Sequence, residues 1–235
     1  MRSALRFAAL ILLSALALQL YFLARVALMV AVDPQSSSFQ RSEAWRLLTE
    51  THRLAWSQEW LSYPRLSAHL KRAVIASEDA GFKDHGGVEW DAIEKAWERN
   101  QKPAPARKST AQAKVAGGST ITQQLAKNLF LDRERSLARK SQELVITFML
   151  EALLSKQRIL EIYLNSVEWG EGVFGAQAAA RHYFRVDARG LGPMQAAQLA
   201  VMLPAPKRFE KRPGSPYVMS RAGTVAARMA AVEAP

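Results

Sequence analysis

The chain opens on a long apolar run. Phe7–Ala24 is interrupted by Ser14 and Gln19, and after Arg25 the run resumes from Val26 to Val32. About 20 apolar residues, rising about 1.5 Å each, cross the hydrocarbon core of a bilayer. The pattern therefore predicts one transmembrane helix over residues 7–32, with residues 1–6 as a tail. A cleaved leader is the competing reading. The run exceeds the usual apolar core of a leader, and no small-x-small cleavage site stands before Asp33. Arg2 and Arg6 precede the run, which orients the N-terminus to the cytoplasm and the rest outside. Arg25, near the far end, can snorkel to the headgroups.

Beyond the run the periodicity changes. Asp33–Ser38 reads as a turn-like exit. Arg41–Leu61 is polar and carries Trp45, Trp56 and Trp60; it reads either as an interfacial helix, since Trp favours the headgroup level, or as an ordinary linker helix. Residues 33–60 form a membrane-proximal linker on either reading. Helical spacing follows over Pro64–Ser77, with Ser67 as cap and Leu70, Ala73 and Val74 on one face. It recurs over Asp91–Trp97, over Leu137–Leu154, and over Lys156–Leu164 with Ser155 as cap. Ala176, Ala179, Ala180 and Tyr183 make a further helical face. Pro193 suits the first turn of a last core helix, which Pro204 and Pro206 end. Thr120 with Gln123 matches a capping box. Lys102–Val115, rich in Pro, Ala and Lys, reads as a loop. Strand-like runs are scarce and no internal repeat is present, so the outer domain is predicted to be mainly α.

Composition then narrows the partner. The 235 residues suit one domain with an appendage, and 32 Lys+Arg against 21 Asp+Glu leave a formal charge of +11. Setting aside Arg2, Arg6 and Arg25 around the span leaves +8 on the rest, which calls for an anionic partner. A basic domain tethered outside a membrane meets lipid headgroups before nucleic acid. The absence of Cys excludes disulfides, thiolate metal sites and thiol catalysis.

Three segments could carry chemistry. In Ile75–Gly87, Glu78 and Asp79 end an apolar helical stretch. A carboxylate there meets the unfavourable end of the helix dipole, which disfavours its charged form and suits a general base. The bland reading is an exposed acidic pair, and His85, with no second His at ligand spacing, reads as structural. Gly117-Gly118-Ser119-Thr120 precedes a helix whose N-terminus could hold a phosphate, with Gln123 and Lys127 on one face below it. The bland reading is a well-capped helix, and the GxxxxGK[ST] spacing of a P-loop is absent. Finally, Glu143 lies at i,i+4 from Arg139 and i,i+3 from Lys140. This is either a surface ion pair or a cationic wall holding a second carboxylate.

Taken together, these segments resemble the peptidoglycan glycosyltransferases (glycosyltransferase family 51), which comprise monofunctional biosynthetic enzymes and the transglycosylase domains of bifunctional penicillin-binding proteins. Five blocks match in order. They are Glu78-Asp79-x-x-Phe82-x-x-His85-x-Gly87; Gly117-Gly118-Ser119-Thr120-Ile121-Thr122-Gln123-Gln124-Leu125-x-Lys127-Asn128; Arg139-Lys140-x-x-Glu143; Lys156-x-x-Ile159-Leu160-Glu161-x-Tyr163-Leu164-Asn165; and Gly172-x-x-Gly175 through Tyr183-Phe184. The resemblance spans residues 60–210. Two departures stand out: Gly81, where the family has a larger residue, and an insertion-like stretch from Pro103 to Lys114.

The resemblance implies a lysozyme-like glycosyltransferase domain over residues 61–235, sunk partly in the bacterial inner membrane behind a single span, with its catalytic face in the periplasm. It implies polymerisation of lipid II into glycan strands with inversion, in cell wall biogenesis and the maintenance of cell shape. Glu78 would be the base and Glu143 would stand near the donor diphosphate, with or without a divalent cation such as magnesium or manganese. Asp79, Ser119, Thr120, Gln123, Gln124, Lys127, Asn128, Arg135, Arg139 and Lys140 would bind substrate. The growing strand, the bilayer and other cell-wall synthesis proteins would be its partners, and nucleic acid would not. A membrane-tethered lysozyme-like enzyme that cleaves peptidoglycan is the alternative, though such an enzyme needs no diphosphate cradle. A non-catalytic scaffold would need none of the motif residues.

Overall fold

The structure, a computed structural model, describes residues 2–90, 94, 119–132, 134 and 136–235. The predicted helix Asp91–Trp97 apart from Glu94, the stretch from Lys102 to Val115, Gly117, Gly118 and Arg135 lie outside the described residues.

Helix α1, Arg2–Leu28, is long and apolar enough to cross a membrane. Most of its surface is exposed, yet Phe22, Val26 and Met29 are buried in the domain's core. Their spacing of four and three residues makes a single stripe. Phe22 meets Phe130 edge-on at 5.5 Å. Gln19 and Gln142 exchange two amide hydrogen bonds of 2.8 and 3.0 Å. At the outer end, Arg158 donates to the Met29 carbonyl at 2.8 Å and pairs with Asp33 at 2.8 Å. A cleaved leader would leave this stripe of the core open, so the packing favours a retained helix.

The segment expected as a linker is knitted into the domain. Ser37 caps α2, Ser38–Arg46, through a capping box with Gln40, and a π turn follows over Leu47–Thr51. Glu43 of α2 is 1% exposed and receives Arg46 at 2.8 Å and Lys207 at 2.5 Å. Burial alone would push its carboxyl up; the two cations outweigh that and hold it down at about 2. The three tryptophans part company: Trp45 is exposed, Trp56 stacks on Phe174, and Trp60 lies under Arg158.

The helical expectations hold closely. Ser67 caps α3, Ala68–Glu78, and Thr120 caps α4, Ile121–Phe130, with the anticipated Gln123 box. Ser136 caps α5, Leu137–Leu153, and Ser155 caps α6, Lys156–Ser166. Then come α7, Ala176–Phe184, and α8, Pro193–Met202, with Pro193 in its first turn. The single turn α9, Pro206–Phe209, leads to α10, Pro216–Arg228. Helix α3 packs on α8, which packs on α10, while α4 packs on α5 and α6. The end of α3 and the start of α4 thus bring the two groups of helices together.

A small sheet is the element that periodicity did not reveal. Strand β3, Val173–Phe174, lies between a parallel β1, Ser57–Gln58, and an antiparallel β2, Glu168–Gly170. Gly172 makes the close approach possible. Its φ is +68°, and a Cβ there would stand 1.9 Å from the Ala55 carbonyl oxygen. Gly172→Ala is expected to cost more than about 2 kcal/mol, from strained backbone and a backbone clash together. Gly190→Ala, whose added Cβ would meet nothing within 4 Å, should stay near wild type. Urea unfolding in detergent reads both; equal midpoints for the two variants would contradict this account of the turn.

Candidate active site

Helix α3 buries Leu70, Ala73, Val74 and Ile75 and so delivers its last residue, Glu78, to a fixed place. The backbone turns immediately afterwards. Asp79 N–H closes the helix on the Ile75 carbonyl at 2.9 Å, and extended backbone swings the Asp79 side chain inward. Its Oδ1 lies 2.7 Å from His85 Nε2, and its Oδ2 accepts the Ile121 N–H at 2.9 Å. A buried carboxylate thereby meets the first turn of α4, where the helix dipole favours negative charge. Thr120 adds a bond from its hydroxyl to the Gly87 carbonyl at 2.6 Å. Neighbouring residues sit on opposite tasks: Asp79 bolts α3 to α4, and Glu78 faces a cavity.

That cavity holds about 410 Å³, within the range of small-molecule sites. Ser77, Glu78, Ser119, Gln124 and Lys127 form one wall; Leu203, Pro204, Phe209, Tyr217 and Arg221 form the other. Gln124 Nε2 donates to Glu78 Oε2 at 3.0 Å. Lys127 also lies 5.6 Å from the centre of the Phe39 ring. Among the described lining residues Glu78 is the single carboxylate, and Lys127 and Arg221 are the cations.

Of the expected substrate contacts, Ser119, Gln124 and Lys127 line the cavity. Asp79, Thr120, Gln123 and Asn128, expected to bind substrate as well, stand behind that wall. All four are buried, and the first three have their polar atoms engaged in joining the helices and capping α4. Arg139, Lys140 and Glu143 form a separate cluster at the start of α5. Glu143 is 3% exposed; one oxygen receives Arg139 at 2.7 Å and the other the Lys140 ammonium. The surface-pair reading therefore fails on burial. A divalent cation at Glu143 would have to displace one of these partners, and among the described residues no group of three His, Asp or Glu side chains gathers.

A third cluster supports the loop after Glu78. Thr122 donates to Glu151 at 2.5 Å, and Lys156 reaches Glu151 at 2.8 Å and the His85 carbonyl at 2.6 Å. His85 itself accepts the Gly87 N–H on Nδ1 at 3.0 Å, which selects the tautomer that donates from Nε2 to Asp79. Sequence reasoning missed Phe209, Tyr217 and Arg221. Ser215-Pro216 and the spacing of Val218, Ala222 and Val225 signal helix α10, but nothing local places its Arg221 in the cavity that Glu78 lines.

A family described as transglycosylase matches residues 46–230. A biosynthetic peptidoglycan transglycosylase of Paraburkholderia xenovorans is 52% identical over 221 residues, covering 94% of this chain and 88% of that protein. One from Burkholderia orbicola is 53% identical, covering 94% and 86%. Another, from Burkholderia thailandensis, is 54% identical, covering 94% and 83%.

The Asp79 hydrogen bond pulls the His85 pKa above its ordinary 6.5, against burial, which lowers it. Protonation also costs the Gly87 bond, which limits the rise. A group raised on folding stabilises the fold below its unfolded pKa and loses that contribution as pH climbs through the folded value. The urea midpoint should therefore be higher at pH 6 than at pH 8, and His85→Gln should flatten the difference. The same slope in that variant would assign it to another group.

Proposed function

The chain belongs to the transglycosylase family and is a peptidoglycan glycosyltransferase, and on that premise we propose that it elongates glycan strands from lipid II. One observation supports this: among the described residues that line the cavity, one carboxylate, Glu78, shares the space with two cations, Lys127 and Arg221. Enzymes that cleave glycosides by the usual route need two carboxyl groups flanking the bond, one of them to protonate the leaving oxygen. A diphosphate leaves without being protonated, provided its charge is stabilised. A donor carrying undecaprenyl diphosphate thus needs a base for the acceptor and cations for the leaving group.

In this reading Glu78 takes the proton from the 4-hydroxyl of the acceptor GlcNAc as that oxygen attacks C1 of the donor MurNAc. The C1–oxygen bond to the diphosphate breaks, the anomeric centre inverts, and undecaprenyl diphosphate departs. Ser119, Gln124 and Lys127 orient the sugars from the α4 wall. Arg139 and Lys140, together with Arg135, hold the donor diphosphate. Glu143 keeps the two α5 cations in place; a magnesium or manganese ion would bind there at the expense of one of those pairs.

The helix of 27 residues, at about 1.5 Å each, suits a span of the inner membrane. Arg2 and Arg6 support a cytoplasmic N-terminus and a periplasmic catalytic domain. Residues 61–235 are the catalytic domain in this scheme, braced by residues 33–60. The bilayer and the growing strand are the partners in this scheme, together with other cell-wall synthesis proteins.

Polymerisation of labelled lipid II by the full-length protein, with and without added divalent cation or chelator, tests the reading. Glu78→Gln should lower the rate by about 10²–10⁴-fold while lipid II binding persists. Full activity in that variant would remove Glu78 as the base. Release of soluble fragments from purified sacculi without lipid II turnover would instead favour a cleaving enzyme.

A further inference from the structure

Behind Glu78 a short polar chain runs into the core. Glu78 Oε2 accepts from Gln124 Nε2 at 3.0 Å, and Gln124 Oε1 accepts from the Tyr163 hydroxyl at 2.9 Å. Tyr163 is on α6, in the middle of the core, with 0% of its surface exposed. The chain thus joins a cavity carboxylate to a group that substrate does not touch.

A carboxamide has two ends of nearly equal shape, one a donor and one an acceptor. Only its partners decide which end faces Glu78. A phenol that donates to Oε1 turns the NH₂ group onto the carboxylate. Burial pushes the Tyr163 hydroxyl well above its ordinary pKa of 10, and the charges of Glu78 and Asp79 push it the same way. It therefore remains a hydroxyl across working pH.

We propose that Tyr163 is a positioning residue of the glycosyl transfer, holding the Glu78 carboxylate in its working orientation through the amide of Gln124. The inference rests on the assignment of Glu78 as the base.

Other groups also act on Glu78. Lys127 on α4 and Arg221 on α10 share its cavity, and Asp79, paired with His85, stands beside it in sequence. Tyr163→Phe removes a neutral hydroxyl and leaves these charges unchanged. The full-length Tyr163→Phe protein is assayed for lipid II polymerisation between pH 5 and 9. We expect kcat to fall about tenfold with KM for lipid II within about twofold. The acid limb of the kcat profile should move to higher pH, because the carboxylate loses a donor held in place. Gln124→Leu should move the acid limb the same way, with KM rising as well because Gln124 also orients the sugars, and the double variant should be no slower than Gln124→Leu alone, since Tyr163 acts through Gln124. Should Tyr163→Phe unfold, Gln124→Leu, a change on the cavity face of α4, carries the pH test. A wild-type acid limb in both single variants, a rise in KM alone, or a fully additive double variant would each overturn the proposal. Glu78→Gln in the same assay separates the two readings. If it is inactive while Tyr163→Phe matches wild type, only the positioning role falls; if it is active, the base assignment falls first.

Discussion

Asp79 shares its carboxylate between the His85 ring and the first N–H of α4, and it is 4% exposed. Removing one partner of such a buried group leaves the rest unpaired, which costs far more than the bond is worth at a surface. The groups around it are arranged accordingly. Lys156 and Glu151 brace the loop that carries His85, and Thr120 ties Gly87 to the same helix start. The junction sets the distance between the end of α3 and the face of α4. Because Glu78 ends the one and Gln124 and Lys127 stand on the other, their spacing in the cavity is a property of this buried pair.

Much of the fold could be read locally. Ser67, Thr120 and Ser155 cap the helices that their spacing predicted, because a cap depends on four or five adjacent residues. The three-stranded sheet could not be read: its strands of two or three residues are too short to show alternation, and Gly172 bends for a contact with Ala55 more than a hundred residues away. The anchor hid its second role as well. A helix apolar on every side gives no sign that Phe22, Val26 and Met29 face protein while their neighbours are exposed.

The site divides in the same way. Motif spacing picked out the end of α3 and the start of α4, which meet at the cavity, but it could not separate residues that line the cavity from residues that build it. Glu78 and Asp79 are consecutive and yet do opposite work, since the backbone turns between them. Glu143 was legible as an i,i+4 partner of Arg139, whereas its burial depends on how α5 meets the rest of the domain. Arg221 lies far from every motif in sequence and reaches the cavity only through the packing of α10 on α8. At Gly81, a Cβ would stand 2.9 Å from a Glu89 side-chain oxygen, so a larger residue there requires that flexible carboxylate to move.

The docking of α1 has a further consequence. Through the Gln19–Gln142 pair, the Phe22–Phe130 contact and Arg158, the anchor is continuous with the catalytic core. An anchor on a flexible tether would let the active site sample a thick layer of solvent above the bilayer. A domain rigidly seated on its own span keeps Glu78 at one height. A partner that is itself confined to lipid then needs to match only lateral position and heading. For such a partner, encounter would be a search over a plane, with a frequency governed by its surface density and the viscosity of the membrane.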